Sequence, residues 1–196
     1  MIEQKMRPHR FYSWAALLAF ALPMLQGCFP IVATGVGAGV LAVEDRRTTG
    51  TFVEDQGIEL KASGKLDALK DSAHVNVTSY NRNVLLTGEA RDEQVKAKAE
   101  TLVREVPQVR NVINELTIRP NRSLASYGND AFLTSKVKAR MIEAQRFQVN
   151  HVKVVSEDGV VYLLGLVTRK EAEDAAEIAR TTSGVTKVVK VFELLD

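Results

Sequence analysis

The chain contains the same pattern of residues twice, and this internal repeat constrains the fold more than any other feature. The segment HVNVTSYNRNVLLTG begins at His74 and HVKVVSEDGVVYLLG begins at His151, an offset of 77 residues (151 − 74). Further on, VPQVRNVINELTI from Val106 matches TSGVTKVVKVFELL from Thr182 at an offset of 76 (182 − 106). A repeat of this length predicts two copies of one small structural unit in tandem.

The spacing at which apolar residues recur along the sequence changes in the same order within each unit. Apolar residues at helical spacing cover residues 56–69 in the first unit and 131–145 in the second. Two alternating segments then predict a hairpin, because the intervening turns YNRN and EDG carry the Asn, Asp and Gly that tight turns require. A second helical stretch and a last strand follow. The predicted order is therefore α-β-β-α-β, twice.

The size of each unit favours packing of one unit against the other. A unit of roughly 65 residues is marginal as an independent hydrophobic core. In the second unit, Tyr162 and Leu164 alternate with Val161 and Leu163 along one predicted strand, so both faces of that strand are apolar. We expect the second face to pack against the neighbouring unit.

The N-terminal 27 residues have the organisation of a secretory signal. A basic start is followed by an apolar run over residues 14–22, which is too short to span a bilayer. The sequence LQGC at residues 25–28 resembles the bacterial lipobox, and its Cys28 is the only cysteine in the chain. The resemblance implies cleavage before Cys28 and membrane anchoring by its acyl chains. The alternative is an ordinary signal peptide with an incidental cysteine.

Removal of the signal leaves a chain without net charge. The whole sequence has 26 basic and 24 acidic residues, and residues 1–27 contain three bases and one acid, so 23 of each remain. A general attraction to nucleic acid is thereby excluded, and any electrostatic contact must be local. The Gly- and Ala-rich segment 28–53 is interpreted as a flexible tether, whose apolar residues 31–43 could also rest on the membrane surface.

The repeated unit resembles the BON domain, and the whole chain resembles the dual-BON outer-membrane lipoproteins of the DolP type. The segments that carry the resemblance are LQGC, TGTFVEDQ, NVTSYNRNVLLTG, GND before LTSKV, and GLVTRKEAEDAAEIARTTSGV. The resemblance implies an α+β fold in which each domain has a small three-stranded mixed sheet with helices packed on it. The predicted organisation is a signal peptide (1–27), a tether (28–53), a first BON domain (54–120), a linker (121–127) and a second BON domain (128–196).

The resemblance also implies a location and a function. Phe29 stands directly after Cys28, where aspartate would retain a lipoprotein at the inner membrane, so the expected location is the outer membrane, facing the periplasm. The expected function is binding of an anionic phospholipid such as phosphatidylglycerol through the second domain, in support of outer-membrane integrity. The alternative is a scaffold that binds an envelope assembly protein or a regulator of a cell-wall hydrolase.

No catalytic or cofactor site is expected. The sequence shows no phosphate-binding loop, paired catalytic carboxylates or Ser/His/Asp spacing, and the family is not enzymatic. His74 and His151 occupy equivalent positions in the two units, but two imidazoles without further ligands indicate packing more than a metal site.

The local distribution of charge predicts that the lipid contact lies on the first helix of the second unit. Residues 132–146 carry four bases and one acid, whereas the equivalent residues 55–70 carry three of each. Phe132 lies about 100° from the core position Leu133 and should therefore be exposed, although the family typically has tryptophan there. The predicted contact residues are Gly128, Asn129 and Asp130 at a helix cap, together with Phe132, Lys136 and Arg140. The alternative is a solvated basic face with one stray aromatic.

The first prediction concerns the anchor. Cys28→Ala removes the thiol that acylation requires, so we expect an unprocessed or soluble protein that takes up no labelled palmitate. Metabolic labelling followed by membrane fractionation measures this. Labelling of the variant at the wild-type level would show that Cys28 is not the attachment point.

Overall fold

The computed structural model describes residues 45–119 and 124–195, which form two α-β-β-α-β units as the repeat predicted. The predicted signal peptide, Cys28 and most of the predicted tether lie outside the described residues. Within the described ranges, no helix is both long enough and apolar enough to cross a membrane.

The first unit has a mixed sheet covered by two helices. Its elements are α1 (Thr49–Leu66), a 3-10 turn (Asp67–Leu69), β1 (Ala73–Tyr80), β2 (Asn83–Ala90), α2 (Glu93–Arg104), β3 (Asn111–Asn114) and β4 (Thr117–Ile118). β1 pairs antiparallel with β2, and β3 and β4 pair parallel with it. The expected single last strand is divided at Glu115 and Leu116, where the Leu116 side chain is buried in the core.

The second unit repeats this arrangement with an unbroken last strand. Its elements are α3 (Leu124–Ala144), a 3-10 turn (Val149–His151), β5 (Val152–Glu157), β6 (Val160–Val167), α4 (Arg169–Arg180) and β7 (Lys187–Leu194). β5 pairs antiparallel with β6, and β7 pairs parallel with β6 along eight residues. The three-stranded mixed sheet expected from the resemblance is present here.

Capping residues explain where two of the helices begin. α1 starts seven residues before the predicted position 56, because the Thr48 hydroxyl accepts a hydrogen bond from the Thr51 N–H at 3.1 Å. α4 begins with a capping box, in which Thr168 and Glu171 each accept a hydrogen bond from the other's backbone N–H.

Each sheet is buried on both faces. The inward residues Val84 and Leu86 pack with α1 and α2, and their counterparts Val161 and Leu163 pack with α3 and α4. The alternate residues form a third cluster that joins the two units, with Tyr80, Leu85, Tyr162 and Leu164 at its centre. The predicted packing of the two units through Tyr162 and Leu164 is therefore confirmed. The layers run helices, sheet, sheet, helices, and the two helical layers face in opposite directions.

Polar contacts around this third cluster follow an approximate twofold symmetry. Asn81, in the hairpin turn of the first unit, donates to Glu193 on the last strand of the second at 2.9 Å. Asp158, at the equivalent turn position 77 residues later, accepts from Arg119 at the end of the first unit at 2.6 Å. The register of the two sheets is thus fixed at both ends.

The second prediction concerns the two equivalent sheet glycines. A Cβ at Gly88, where φ is +113°, would lie 2.2 Å from the His74 carbonyl oxygen, and one at Gly165 would lie 2.3 Å from that of His151. Because backbone must move to relieve such a contact, Gly88→Ala should lower the free energy of unfolding by about 2 kcal/mol or more. Urea unfolding of the chain 45–196 measures this.

Gly57 provides the matched control for that measurement. It lies inside α1, and a Cβ there would meet nothing within 4 Å. Gly57→Ala should therefore raise stability by up to about 1 kcal/mol, through helix propensity alone. Equal effects of the two substitutions would contradict the close contact at Gly88.

Candidate membrane-binding site

α3 presents one side to the core and the opposite side to solvent. Leu133, Val137 and Met141 are buried against the sheet of the second unit. Phe132 is 68% exposed, which confirms the exposure predicted for it. The ring has no packing role in the described part of the second core.

A second large apolar side chain shares this solvent-facing side. Ile142 is 61% exposed, and Ser135 and Ala139 between the two are also exposed. These four residues, Phe132, Ser135, Ala139 and Ile142, have the 3-4-3 spacing of one helical face and are called the outer stripe here. It extends roughly 15 Å along the helix. Ile142 is not among the residues predicted from the sequence, although its ten-residue separation from Phe132 places it on the same side.

The two cations predicted to meet headgroups are directed toward α4. Lys136 donates to the Ser183 carbonyl at 2.9 Å, just beyond the end of α4. Arg140 donates to the Ile178 carbonyl at 3.1 Å and to the Thr182 hydroxyl at 2.9 Å. Cations at a helix C-terminus are stabilised by its unpaired carbonyl groups. Both side chains are half-buried and have a structural role in holding α4 against α3.

The other charged residues of 132–146 are Lys138 and Glu143 on α3 and Arg146 just after its end, and all three are exposed. Lys138 is exposed and has no ion-pair partner among the described residues. Arg146 pairs with Glu177 at 3.0 Å and with Asp174 at 3.3 Å. The hydrogen bond to Glu177 is the main reason why the pKa of Arg146 is raised. α4 has three bases and four acids, so residues 132–146 (+3) and 169–180 (−1) together carry +2.

The predicted helix cap at residues 128–130 is wrong. The structure places Gly128, Asn129 and Asp130 inside α3, whose first described residue is Leu124. Inside a helix, backbone N–H groups bond to carbonyls four residues earlier and are not free to receive a phosphate oxygen. Asp130 is buried, and its carboxylate lies 3.4 Å from the Gly159 N–H in the β5–β6 turn. Asp130 therefore links α3 to the hairpin formed by β5 and β6.

Comparison with known proteins identifies two copies of one domain. The BON-domain family model matches residues 54–120 and 129–196. The chain is 42% identical over 187 residues to the outer membrane lipoprotein DolP of Haemophilus influenzae, covering 92% of this chain and 95% of the relative. It is 33% identical to a 21 kDa hemolysin of Actinobacillus pleuropneumoniae, covering 76% and 78% of the two chains. It is 30% identical to the osmotically-inducible protein Y of Escherichia coli, covering 79% and 80%.

Two domain matches and a relative of nearly equal length define the class of protein. The chain belongs to the BON-domain family, with two tandem copies of the domain. It is an outer-membrane lipoprotein, held by a lipid anchor on the periplasmic side, as predicted from the residues around Cys28.

The third prediction separates structural from surface cations on α3. Arg140→Ala removes hydrogen bonds from the end of α4, so the free energy of unfolding should fall by about 1–2 kcal/mol. Lys138→Ala, two residues away on the exposed side, should change it by less than about 0.5 kcal/mol. Chemical denaturation of both variants measures the difference. Equal stability of the two would contradict the capping role of Arg140.

Proposed function

We propose that the second BON domain binds anionic phospholipid through the outer stripe of α3, while acyl chains on Cys28 hold the protein at the outer membrane. In this way the protein supports outer-membrane integrity as a binding protein and not as an enzyme. The observation that carries the proposal is the pair of large apolar side chains, Phe132 and Ile142, exposed on one face of a locally basic helix.

The apolar pair supplies most of the expected binding energy. Full dehydration of a Phe or Ile side chain is worth about 1.5–3 kcal/mol. A helix that lies flat at the headgroup boundary can bury both residues at once, because they lie on the same side and roughly 15 Å apart. Ser135 and Ala139 between them are small enough not to hold the helix away from the surface.

The cations near the stripe supply selectivity for negative headgroups. A basic side chain close to an anionic membrane surface contributes about 1 kcal/mol, and the attraction extends over roughly a Debye length. Lys138 is exposed and unpaired within residues 45–119 and 124–195, whereas Lys136 keeps its ammonium group at the end of α4 and acts over a longer distance. The electrostatic contribution is therefore smaller than the residue count of α3 indicates.

The fourth prediction tests the outer stripe with vesicles. Phe132→Glu and Ile142→Glu place a charge where an apolar side chain would enter the boundary, so each should weaken binding to phosphatidylglycerol vesicles at least tenfold. Both residues are exposed, so neither variant should unfold. Co-sedimentation of the chain 45–196, which contains both cores entire, measures binding, and circular dichroism checks the fold.

A matched control lies on the equivalent helix of the first domain. Leu60 on α1 is 76% exposed, so Leu60→Glu makes the same chemical change on the opposite helical layer. It should leave vesicle binding unchanged. If Phe132→Glu binds as tightly as wild type while folded, the site is wrong; if Leu60→Glu abolishes binding, the membrane face belongs to the first domain.

A protein-binding scaffold is the second candidate function, and the surface of α1 favours it. Val53 and Leu60 are exposed on the helical layer that faces away from α3, where a bilayer contacting α3 cannot reach them. A periplasmic protein could bind there, such as one that assembles the outer membrane. Loss of outer-membrane integrity in Leu60→Glu cells, with vesicle binding intact, would favour this function.

A further inference from the structure

The last strand of each domain lies at the edge of its sheet, and the two edges differ. In the first domain the edge is divided between β3 and β4. There the Asn114 side chain donates to the Lys96 carbonyl at 2.9 Å, and Leu116 is buried in the core. In the second domain β7 is unbroken, and among the described residues β6 is the only strand that pairs with it. The β7 edge is therefore the longer and more regular of the two.

The opposite edge of the first sheet is closed by side chains. The backbone N–H of Ser79 on β1 donates to the Glu59 carboxylate at 2.8 Å, and the Ser79 carbonyl accepts from Lys153 at 3.3 Å. These contacts satisfy backbone groups with which another strand would otherwise pair. The edge formed by β1 is therefore protected, and the broken edge formed by β3 and β4 is a poor template for a further strand.

Alternate backbone groups of β7 point away from the sheet. In a parallel pair each residue directs its N–H and C=O to the same side, and successive residues alternate between the two sides. The N–H of Leu195, one residue beyond β7, bonds to the Val167 carbonyl of β6 at 3.1 Å. The register between β6 and β7 is continuous. The N–H and C=O groups of Lys190 and Phe192 therefore point outward, as do those of the other even-numbered residues of β7.

The apolar side chains along this edge are only half-buried. Val188 and Phe192 border the core of the second domain, whereas Val189 and Val191 border the cluster between the two sheets. Because successive side chains of a strand lie on opposite faces, the edge is apolar on both faces. A strand added next to β7 would cover these side chains with cross-strand neighbours. The added strand should therefore carry apolar side chains on both of its own faces.

The charges of β7 favour one kind of added strand. Lys187 and Lys190 are exposed, and neither forms an ion pair within residues 45–119 and 124–195. Glu193 is engaged by the first domain, since Asn81 and Arg110 donate to its carboxylate at 2.9 and 3.3 Å. Two unpaired positive charges at the edge favour an acidic strand. Antiparallel pairing with β7 of a second copy would bring the two Lys190 side chains together, and like charges on neighbouring strands are destabilising.

We propose that β7 is a docking edge for an extended segment of another protein, which adds as a strand and carries apolar side chains with an acidic residue opposite Lys190. In strand addition, main-chain hydrogen bonds supply affinity and alternate side chains supply specificity. The outer stripe lies elsewhere, because α3 packs on β5 at the other edge of the same sheet, whereas α4 packs on β7. Membrane binding by α3 therefore leaves the docking edge accessible.

The fifth prediction tests the docking edge with synthetic peptides. A capped nine-residue peptide of alternating valine and threonine with a central glutamate should bind the chain 45–196 at least fivefold more tightly than the same peptide with a central lysine. Lys190→Glu reverses the charge of the edge and should therefore reverse this order of affinity. Binding should also slow amide hydrogen exchange at Lys190 and Phe192 at least tenfold, because their N–H groups become paired. Heteronuclear NMR measures both the affinities and the exchange rates.

Two further variants complete the experiment. Lys98→Glu makes the same change of charge on the exposed side of α2 and should leave both affinities unchanged. Lys190→Pro removes an outward N–H without removing a hydrogen bond to β6, so it should abolish binding of either peptide. Circular dichroism checks its fold, and if it unfolds, the reversal by Lys190→Glu still tests the proposal. The docking edge is wrong if the glutamate peptide does not bind at millimolar concentration, if Lys190→Glu keeps the original order, or if the peptide protects amides elsewhere.

Discussion

The packing of the two sheets against each other is the constraint on which the rest of the structure depends. Tyr80 and Leu85 from one domain and Tyr162 and Leu164 from the other are buried only because the domains are joined. A domain of roughly 65 residues is marginal as an independent core, and this third cluster adds burial that neither domain has alone. Because it occupies the inner face of both sheets, the helices can lie only on the outside. Two opposed helical surfaces follow, and they are free to differ.

The elements of the fold could be predicted because their patterns are local. Alternation along residues 160–167 identified a strand with two apolar faces, and the 100° step between Leu133 and Phe132 identified the exposed ring. The start of α3 was misplaced because Gly128 and Asn129 are poor helix formers. Tertiary contacts, such as that of Asp130 with the β5–β6 turn, offset the unfavourable helix propensity of these two residues. Contacts between residues that are far apart in sequence cannot be inferred from a local pattern.

The candidate site was only partly predictable for the same reason. A count of charges shows that residues 132–146 are basic, but the partners of Lys136 and Arg140 lie about 40 residues away in sequence. Arg46 donates to the Glu171 carboxylate at 2.6 Å across a separation of 125 residues. One local signal was available: the T-x-x-E pattern at Thr168 marks a helix start, and the same carboxylate also receives Arg46. Side chains that serve two contacts are hard to assign from sequence, because each contact alone explains the residue.

In the proposed function, a modest membrane contact by the outer stripe is enough because a lipid anchor acts together with it. With two of the nearby cations engaged at the end of α4, the stripe relies on Phe132, Ile142 and a small net charge. Such a contact on its own is reversible, whereas several acyl chains anchor nearly permanently. Once the anchor holds the chain at the surface, binding by α3 becomes an intramolecular event, in which a high effective concentration compensates for a low intrinsic affinity. The outer stripe would then bind and leave the membrane reversibly while the protein stays anchored. The opposite helical layer, which carries Leu60, would face the periplasm.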